Sequence, residues 1–155
     1  MSKNQARQAV LKELYEGYLE NPGTIFDVSK TIKEYGYDPI KFGDYLIDRG
    51  LIKNQRYYPG GILEAQISNA GIIEIEPNYF NDLSDHVVAV LAETNQNGIM
   101  EILQWKPNQF IRAFDLAKYL ENSMLVEATY LSNEVHLELT NQGRDYFNRS
   151  KSSFM

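Results

Sequence analysis

Apolar side chains recur every three or four positions along the first fifty residues, and this period predicts three amphipathic helices. The first covers residues 5 to 20. The second follows a predicted capping box, in which Thr24 and Asp27 satisfy each other's free amides, and runs to about Tyr35. The third begins with Asp38 as cap and ends before Gly50. The short turn between the last two helices predicts a helix-turn-helix arrangement.

The period changes after Leu51 and predicts a β-hairpin. Two β-prone runs, 51 to 58 and 62 to 67, flank the turn sequence Pro59-Gly60-Gly61. Residues 72 to 76 fit either a short helix or a strand, and Pro77 ends whatever they form.

The second half repeats this order of elements. A helix capped by Ser84-Asp85 and a short helix from Ile99 to Trp105 come first, and Pro107 opens a third helix. Two alternating runs around 125 to 139 then predict a second hairpin, followed by a closing helix.

Local similarities between the halves support a duplicated fold. Tyr45-Leu46 and Leu51-Ile52 align with Tyr119-Leu120 and Leu125-Val126, 74 residues later, whereas the segment from Ile67 to Gly71 aligns with the similar segment from Leu139 to Gly143 after 72 residues. The two-residue difference falls inside the hairpins, where length changes cost little. The alternative is a single α+β domain with coincidental matches.

We therefore predict an α+β, mostly helical chain with two tandem domains. The first covers residues 1–76, a linker covers 77–83, and the second domain covers 84–149. The tail 150–155 is expected to be loose.

Composition narrows the function classes. The chain has 155 residues and no Cys, which excludes disulfides and thiolate metal sites. The longest apolar run, Val87 to Ala92, is too short to span a bilayer, so a cytoplasmic protein without membrane association is expected. The net charge is −6, with −2 on residues 1–80 and −4 on residues 81–155, so any nucleic-acid contact requires a local basic patch.

Both halves resemble the winged helix-turn-helix domains of bacterial and phage regulators. The shared features are a third helix that leads into the hairpin, or wing, and an aliphatic-Ser/Thr-x-x-Gly signature after it. These are Leu46 to Ile52 with Ile67 to Gly71, and Leu120 to Val126 with Leu139 to Gly143.

The resemblance implies binding of double-stranded DNA, with the third helix in the major groove and the wing on the backbone. Lys and Arg are expected at phosphates, with Lys53 and Arg56 foremost. Asn and Gln can present paired donor and acceptor groups to a base edge, as expected of Asn54 and Gln55 on the first wing. In the second half, Asn108, Gln109 and Arg112 are expected to read bases. The candidate DNA-binding residues are Lys41, Arg49, Lys53, Asn54, Gln55, Arg56, Tyr57, Asn108, Gln109, Arg112 and Lys118. The two third helices would occupy successive major-groove segments, within one chain or across a homodimer.

The acidic charge keeps a second interpretation open. Asp44 and Asp48 on the third helix of the first half would repel phosphate, and the second wing tip, residues 131 to 134, has no basic residue. The alternative is a protein-interaction adaptor that does not bind DNA and presents its wings to a protein partner. Exposed aromatics at Tyr57-Tyr58 favour a partner surface, while Tyr79-Phe80 favour contact between the domains.

No catalytic constellation emerges. His86 and His136 are predicted to face solvent, because neither has a second ligand at metal-binding spacing. We expect no enzymatic activity, no cofactor and no metal.

Overall fold

The computed structural model describes residues 2 to 152. It is an α+β structure in which helices predominate and the strands form small antiparallel sheets. The chain divides after Pro77 into two compact units, called unit 1 and unit 2 below. Within residues 2 to 152, no helix combines the length and the apolar composition that crossing a membrane requires.

Unit 1 combines four helices with a three-stranded sheet in its described part. In chain order the elements are α1 (Lys3–Glu20), β1 (Phe26–Asp27), α2 (Ser29–Glu34), α3 (Pro39–Asp48), β2 (Ile52–Tyr58), β3 (Ile62–Ile67) and α4 (Asn69–Ile75). β3 lies between β1 and β2 and pairs antiparallel with both. Of the residues that were ambiguous between helix and strand, 72 to 75 therefore belong to α4 and Glu76 is its C-cap.

Local signals fix the helix ends of unit 1. Ser2 and Gln5 form a capping box at the start of α1. Asp38 caps α3, with its carboxylate accepting a hydrogen bond from the Lys41 backbone N–H at 3.0 Å. Gly36 and Gly50 take positive φ angles of 86° and 70°, the left-handed conformation that ends a helix.

The capping box predicted at Thr24 and Asp27 is wrong. Phe26 and Asp27 form β1 and pair with β3, and α2 begins at Ser29. The Phe26 ring also packs on α1, where a Cβ at Gly17 would lie 2.6 Å from it. Pairing with a strand forty residues away thus satisfies backbone groups that the local pattern assigned to a cap.

Unit 2 is built in the same order. Its elements are α5 (Tyr79–Glu93), α6 (Ile99–Leu103), a 3₁₀ turn (Pro107–Gln109), α7 (Phe110–Asn122), β4 (Val126–Tyr130), β5 (Val135–Leu139) and α8 (Asn141–Ser152). β4 and β5 pair antiparallel, and Gly98 forms an isolated bridge to His136 on β5. This bridge stands before α6, just as β1 stands before α2.

The predicted linker 77–83 and the predicted cap at Ser84 are wrong. α5 already begins at Tyr79, because Tyr79 and Phe80 are buried in unit 2 and Phe80 stacks on Tyr119 of α7 at 4.7 Å between ring centroids. Ser84 consequently lies inside α5, where it is 3% exposed. Its aromatic neighbours, rather than a polar cap, determine where this helix starts.

The expectation of a loose tail is wrong for residues 150 to 152, which continue α8. Residues 153–155 lie outside the described part of the chain. Tyr146 anchors α8, since its hydroxyl donates a hydrogen bond to the Asp85 carboxylate on α5. The hydrogen bond to Asp85 and the desolvation of the hydroxyl raise the pKa of Tyr146.

Each unit joins its hairpin to its last helix with the same contacts. Ser68 donates its backbone N–H to the carbonyl of the residue before β2, and its hydroxyl accepts from the Gly71 N–H, both at 3.1 Å. Thr140 and Gly143 repeat these bonds beside β4, at 3.1 and 2.9 Å. A Cβ at either glycine would come within 2.3 Å of a backbone oxygen. Both hairpins therefore require a glycine at this position, 72 residues apart.

Candidate nucleic-acid interface

The outward face of α3 carries charges of both signs. Lys41, Asp44 and Asp48 are exposed at a spacing of three and four residues, which places them in one stripe. Arg49 follows as the C-cap, with its guanidinium 5.1 Å from the centre of the Tyr45 ring. This face therefore presents two cations beside two carboxylates.

A β-bulge bends β2 where it leaves the body of unit 1. Lys53 pairs with Gln66 and Arg56 with Glu64, so two residues of β2, Asn54 and Gln55, lie opposite one residue of β3. Asn54 has a φ of 53°, a left-handed conformation that asparagine tolerates better than most residues. From Asn54 onward every residue of β2 is exposed. The part of β2 beyond the bulge is therefore exposed to solvent.

Hydrogen bonds hold the bulge in place. The Asn54 side-chain amide donates to the Gln66 side-chain oxygen at 2.7 Å, and the Gln66 amide donates to the carbonyl of Thr24 at 3.1 Å. The Asn54 side-chain amide thereby donates within the protein, so this side chain is less suited to read a base than expected. Within residues 2 to 152, the side chains of Gln55 and Arg56 form no hydrogen bond.

Tyr57 fixes the wing to α3. Its hydroxyl donates to the Asp44 carboxylate at 2.8 Å. Desolvation of the hydroxyl and this hydrogen bond raise the pKa of Tyr57 to about 12. The close approach depends on Gly43, where a Cβ would lie 3.1 Å from the hydroxyl and 2.8 Å from Leu63. Tyr57 therefore has a positioning role, and Asp44 is engaged by a donor within the fold.

The cations of unit 1 are concentrated on one part of its chain. The segment 29–67, from α2 to β3, contains six Lys and Arg against five Asp and Glu. Five of the six are exposed and Lys53 is partly exposed; the set comprises Lys30, Lys33, Lys41, Arg49, Lys53 and Arg56. The rest of residues 1–77 has three cations and six carboxylates. The positive charge therefore lies on the helices and wing predicted to contact a partner.

The corresponding part of unit 2 differs in charge. The segment 99–139, from α6 to β5, has three cations and six carboxylates. On the outer side of its hairpin, Glu127 and Glu138 are exposed and directly opposite each other. Two carboxylates in this position would repel a phosphate backbone.

Arg112 is held within unit 2. Its guanidinium donates to the Tyr79 hydroxyl and to the Gln109 side-chain oxygen, each at 2.9 Å, and stacks over the Trp105 ring at 4.3 Å. Asn108 and Gln109 lie in the 3₁₀ turn before α7 rather than on the helix itself, which corrects their expected placement. The structure thus brings Arg112 and Gln109 together, but as partners of each other.

The outward face of α7 is more apolar than that of α3. Ile111 and Phe114 are 42% and 39% exposed. Lys118 lies next to them, with its ammonium 4.5 Å from the centre of the Tyr130 ring and 3.8 Å from Glu121. The Tyr130 hydroxyl donates to the Glu121 carboxylate, and desolvation with this bond raises the pKa of Tyr130. This face offers hydrophobic contact area where DNA binding would require polar side chains.

Glu134, counted above among the wing-tip residues, caps α6. Its carboxylate accepts hydrogen bonds from the backbone N–H groups of Met100, Glu101 and Val135 at 2.8, 3.2 and 2.9 Å. Because Glu134 lies 34 and 33 residues from Met100 and Glu101, no local pattern identifies this role. The acidic wing tip is therefore a structural feature of unit 2.

His86 and His136 are exposed, as predicted. Across residues 2 to 152, no group of three or more His, Cys, Asp or Glu side chains is arranged to hold a metal ion.

Comparisons with protein-family models, with curated proteins and with solved structures found no match to this chain.

Proposed function

We propose that each unit is a winged helix and that the protein is a non-enzymatic DNA-binding regulator that contacts the duplex through unit 1. Three features support the winged-helix assignment. Each unit has three helices followed by a hairpin, each has a short backbone pairing before its second helix, and each closes its hairpin with the same Ser/Thr and Gly contacts.

The observation that carries the DNA assignment is the concentration of cations in unit 1. Six Lys and Arg lie between α2 and β3, on the elements that a winged helix places against DNA. Phosphate contacts supply most of the sequence-independent affinity of a protein for DNA, so a segment with six cations and five carboxylates is an informative feature of a chain whose net charge is −6.

The contacts of unit 1 suggest a division of roles. Lys41 and Arg49 on α3, with Lys53 and Arg56 on the wing, would contact phosphates. Gln55 would present its amide to a base edge. The hydrogen bond from Tyr57 reduces the cost of bringing Asp44 near phosphate, whereas Asp48 would still weaken binding.

The proposal limits DNA contact to one unit of each chain. Unit 2 has a negative hairpin, an apolar α7 face and an arginine, Arg112, that donates to Tyr79 and Gln109. We therefore do not retain the expectation that α7 occupies a second stretch of major groove.

The test is selection from a pool of random-sequence duplex DNA at low and moderate salt, with sequencing of the bound fraction. Enrichment of one motif, with affinity falling as salt rises, is the expected result. Absence of retained DNA at low salt would refute the proposal.

A second candidate function is protein docking through unit 2, favoured by the exposed Ile111 and Phe114. In an adaptor without DNA binding, Lys53→Ala with Arg56→Ala would leave function unchanged, whereas Phe114→Ser would abolish partner binding. In the DNA-binding regulator, the first pair of substitutions is the damaging one.

A further inference from the structure

We propose that Tyr58, at the outer end of β2, stacks on an unpaired base, so that unit 1 prefers DNA in which one base pair is disrupted. The inference rests on the proposed function and names the form of DNA that the same face would prefer.

Tyr58 is exposed at the end of the wing. It is 42% exposed, and the alternation of side chains along β2 places it on the face opposite Tyr57. Tyr57 is fixed by Asp44, so the two adjacent tyrosines have different surroundings. Tyr57 is 40% exposed but its hydroxyl is bonded to Asp44, whereas no side-chain hydrogen bond within residues 2 to 152 is found for Tyr58.

The turn beyond Tyr58 contains two glycines, of which Gly60 is exposed. Gly60 and Gly61 have φ angles of 91° and 74°, which explains the two glycines. A Cβ at Gly60 would have no atom within 4 Å. No side chain of these two residues therefore shields the outer end of the hairpin.

Arg56 lies on the same strand face as Tyr58, and Lys33 lies near the turn that follows. Arg56 shares the outer face with Tyr58, since it lies two residues earlier on the same strand, after the bulge. The ammonium of Lys33 lies 4.0 Å from the point that a Gly61 Cβ would occupy. An exposed aromatic ring beside a positive charge complements a nucleotide, whose base stacks while its phosphate binds the cation.

The corresponding position of unit 2 lacks these features. Tyr130 is hydrogen-bonded to Glu121, and the exposed apolar residue at that hairpin end is Leu131, which has no aromatic face. The hairpin from 126 to 139 contains no Lys or Arg. Leu131 therefore provides a matched control for a change at a hairpin end.

The experiment compares two 20-base-pair duplexes of one sequence, fully paired or with a central mismatch, in fluorescence anisotropy titrations of the full chain. We expect the wild type to bind the mismatched duplex about tenfold more tightly, which corresponds to about 1.4 kcal/mol and is typical of one base–aromatic stack. Tyr58→Ala should remove the preference for the mismatched duplex without changing the affinity for the paired duplex. Tyr58→Phe and Leu131→Ala should keep the preference.

A second readout detects the stack itself. A 2-aminopurine at the mismatch should lose fluorescence on binding wild type or Tyr58→Phe, and not on binding Tyr58→Ala. Equal wild-type affinity for both duplexes, or a preference that survives Tyr58→Ala, would overturn the inference and leave DNA binding by unit 1 intact. Binding to neither duplex would overturn both.

Discussion

Gly98 faces the carboxylate that caps α6, and Gly98→Ala should displace it. A Cβ at Gly98 would lie 2.4 Å from Glu134 Oε2, too close for the carboxylate to keep its position. The backbone of Gly98 has a φ of −97°, which alanine adopts without strain. Any loss of stability therefore comes from the displaced carboxylate.

The magnitude follows from the bonds that Glu134 makes. Removing a helix cap costs about 1 kcal/mol, and leaving the Val135 N–H without this acceptor adds about another. Glu134→Ala and Gly98→Ala should each cost about 2 kcal/mol, which lowers Tm by about 10 °C in a unit of this size. Because both changes remove the same interaction, the double variant should also lose about 2 kcal/mol rather than about 4.

Trp105 provides the assay, because it is the only tryptophan of the chain and lies in unit 2. Its fluorescence in urea titrations gives the free energy of unfolding of that unit. Glu138→Ala, which removes an exposed carboxylate from the same hairpin, should change stability by less than about 0.5 kcal/mol. Additive losses in the double variant would show that the carboxylate and the glycine act separately, contrary to this reasoning.

Three further predictions concern other contacts. The Ser84 hydroxyl is buried without a hydrogen-bond partner within residues 2 to 152. Ser84→Ala should therefore stabilise unit 2 by up to about 1 kcal/mol in urea titrations. A loss of stability above about 1 kcal/mol would show that the hydroxyl has a favourable partner, contrary to this reasoning. Gly143→Ala would place a Cβ 2.1 Å from the carbonyl oxygen of Leu125 and should cost about 3 kcal/mol, read from the fall in Tm; an unchanged Tm would contradict the required close approach. The pKa of Tyr57 is raised from 10 to about 12, so folding favours its neutral form, and the stability due to the Tyr57–Asp44 bond is present below pH 10 and is lost as pH rises toward 12. Wild type should therefore lose more stability between pH 9 and pH 12 than Tyr57→Phe does. Equal losses of stability would show that the Tyr57 hydroxyl does not cause this pH dependence.

Features encoded over a few neighbouring residues could be predicted from the sequence. Asp38 and Pro39 mark the start of α3, and Gly36 and Gly50 end helices through their left-handed backbone. The hairpin around Gly60 follows from its turn residues and the β-prone runs beside it. In each case the determining interaction joins residues close together in the chain.

Features that depend on distant partners could not be predicted. β1 forms because β3 offers it backbone hydrogen bonds, and α5 starts early because Phe80 stacks on Tyr119. The candidate site shows the same limit, since residue type alone suggested base readout by Asn54 and Arg112. The hydrogen bonds that engage their donors come from residues that the linear pattern does not connect to them.

The salt dependence of duplex binding tests the central claim most directly. Lys53→Ala with Arg56→Ala removes two wing cations from unit 1, and Lys106→Ala with Arg144→Ala removes two exposed cations from unit 2. Both pairs change the net charge equally. The slope of log affinity against log salt is negative. We predict that the first pair of substitutions makes it shallower by about 2 and that the second pair leaves it unchanged. Equal slopes for wild type and both variants, or a larger effect of the unit 2 pair, would contradict DNA binding through unit 1.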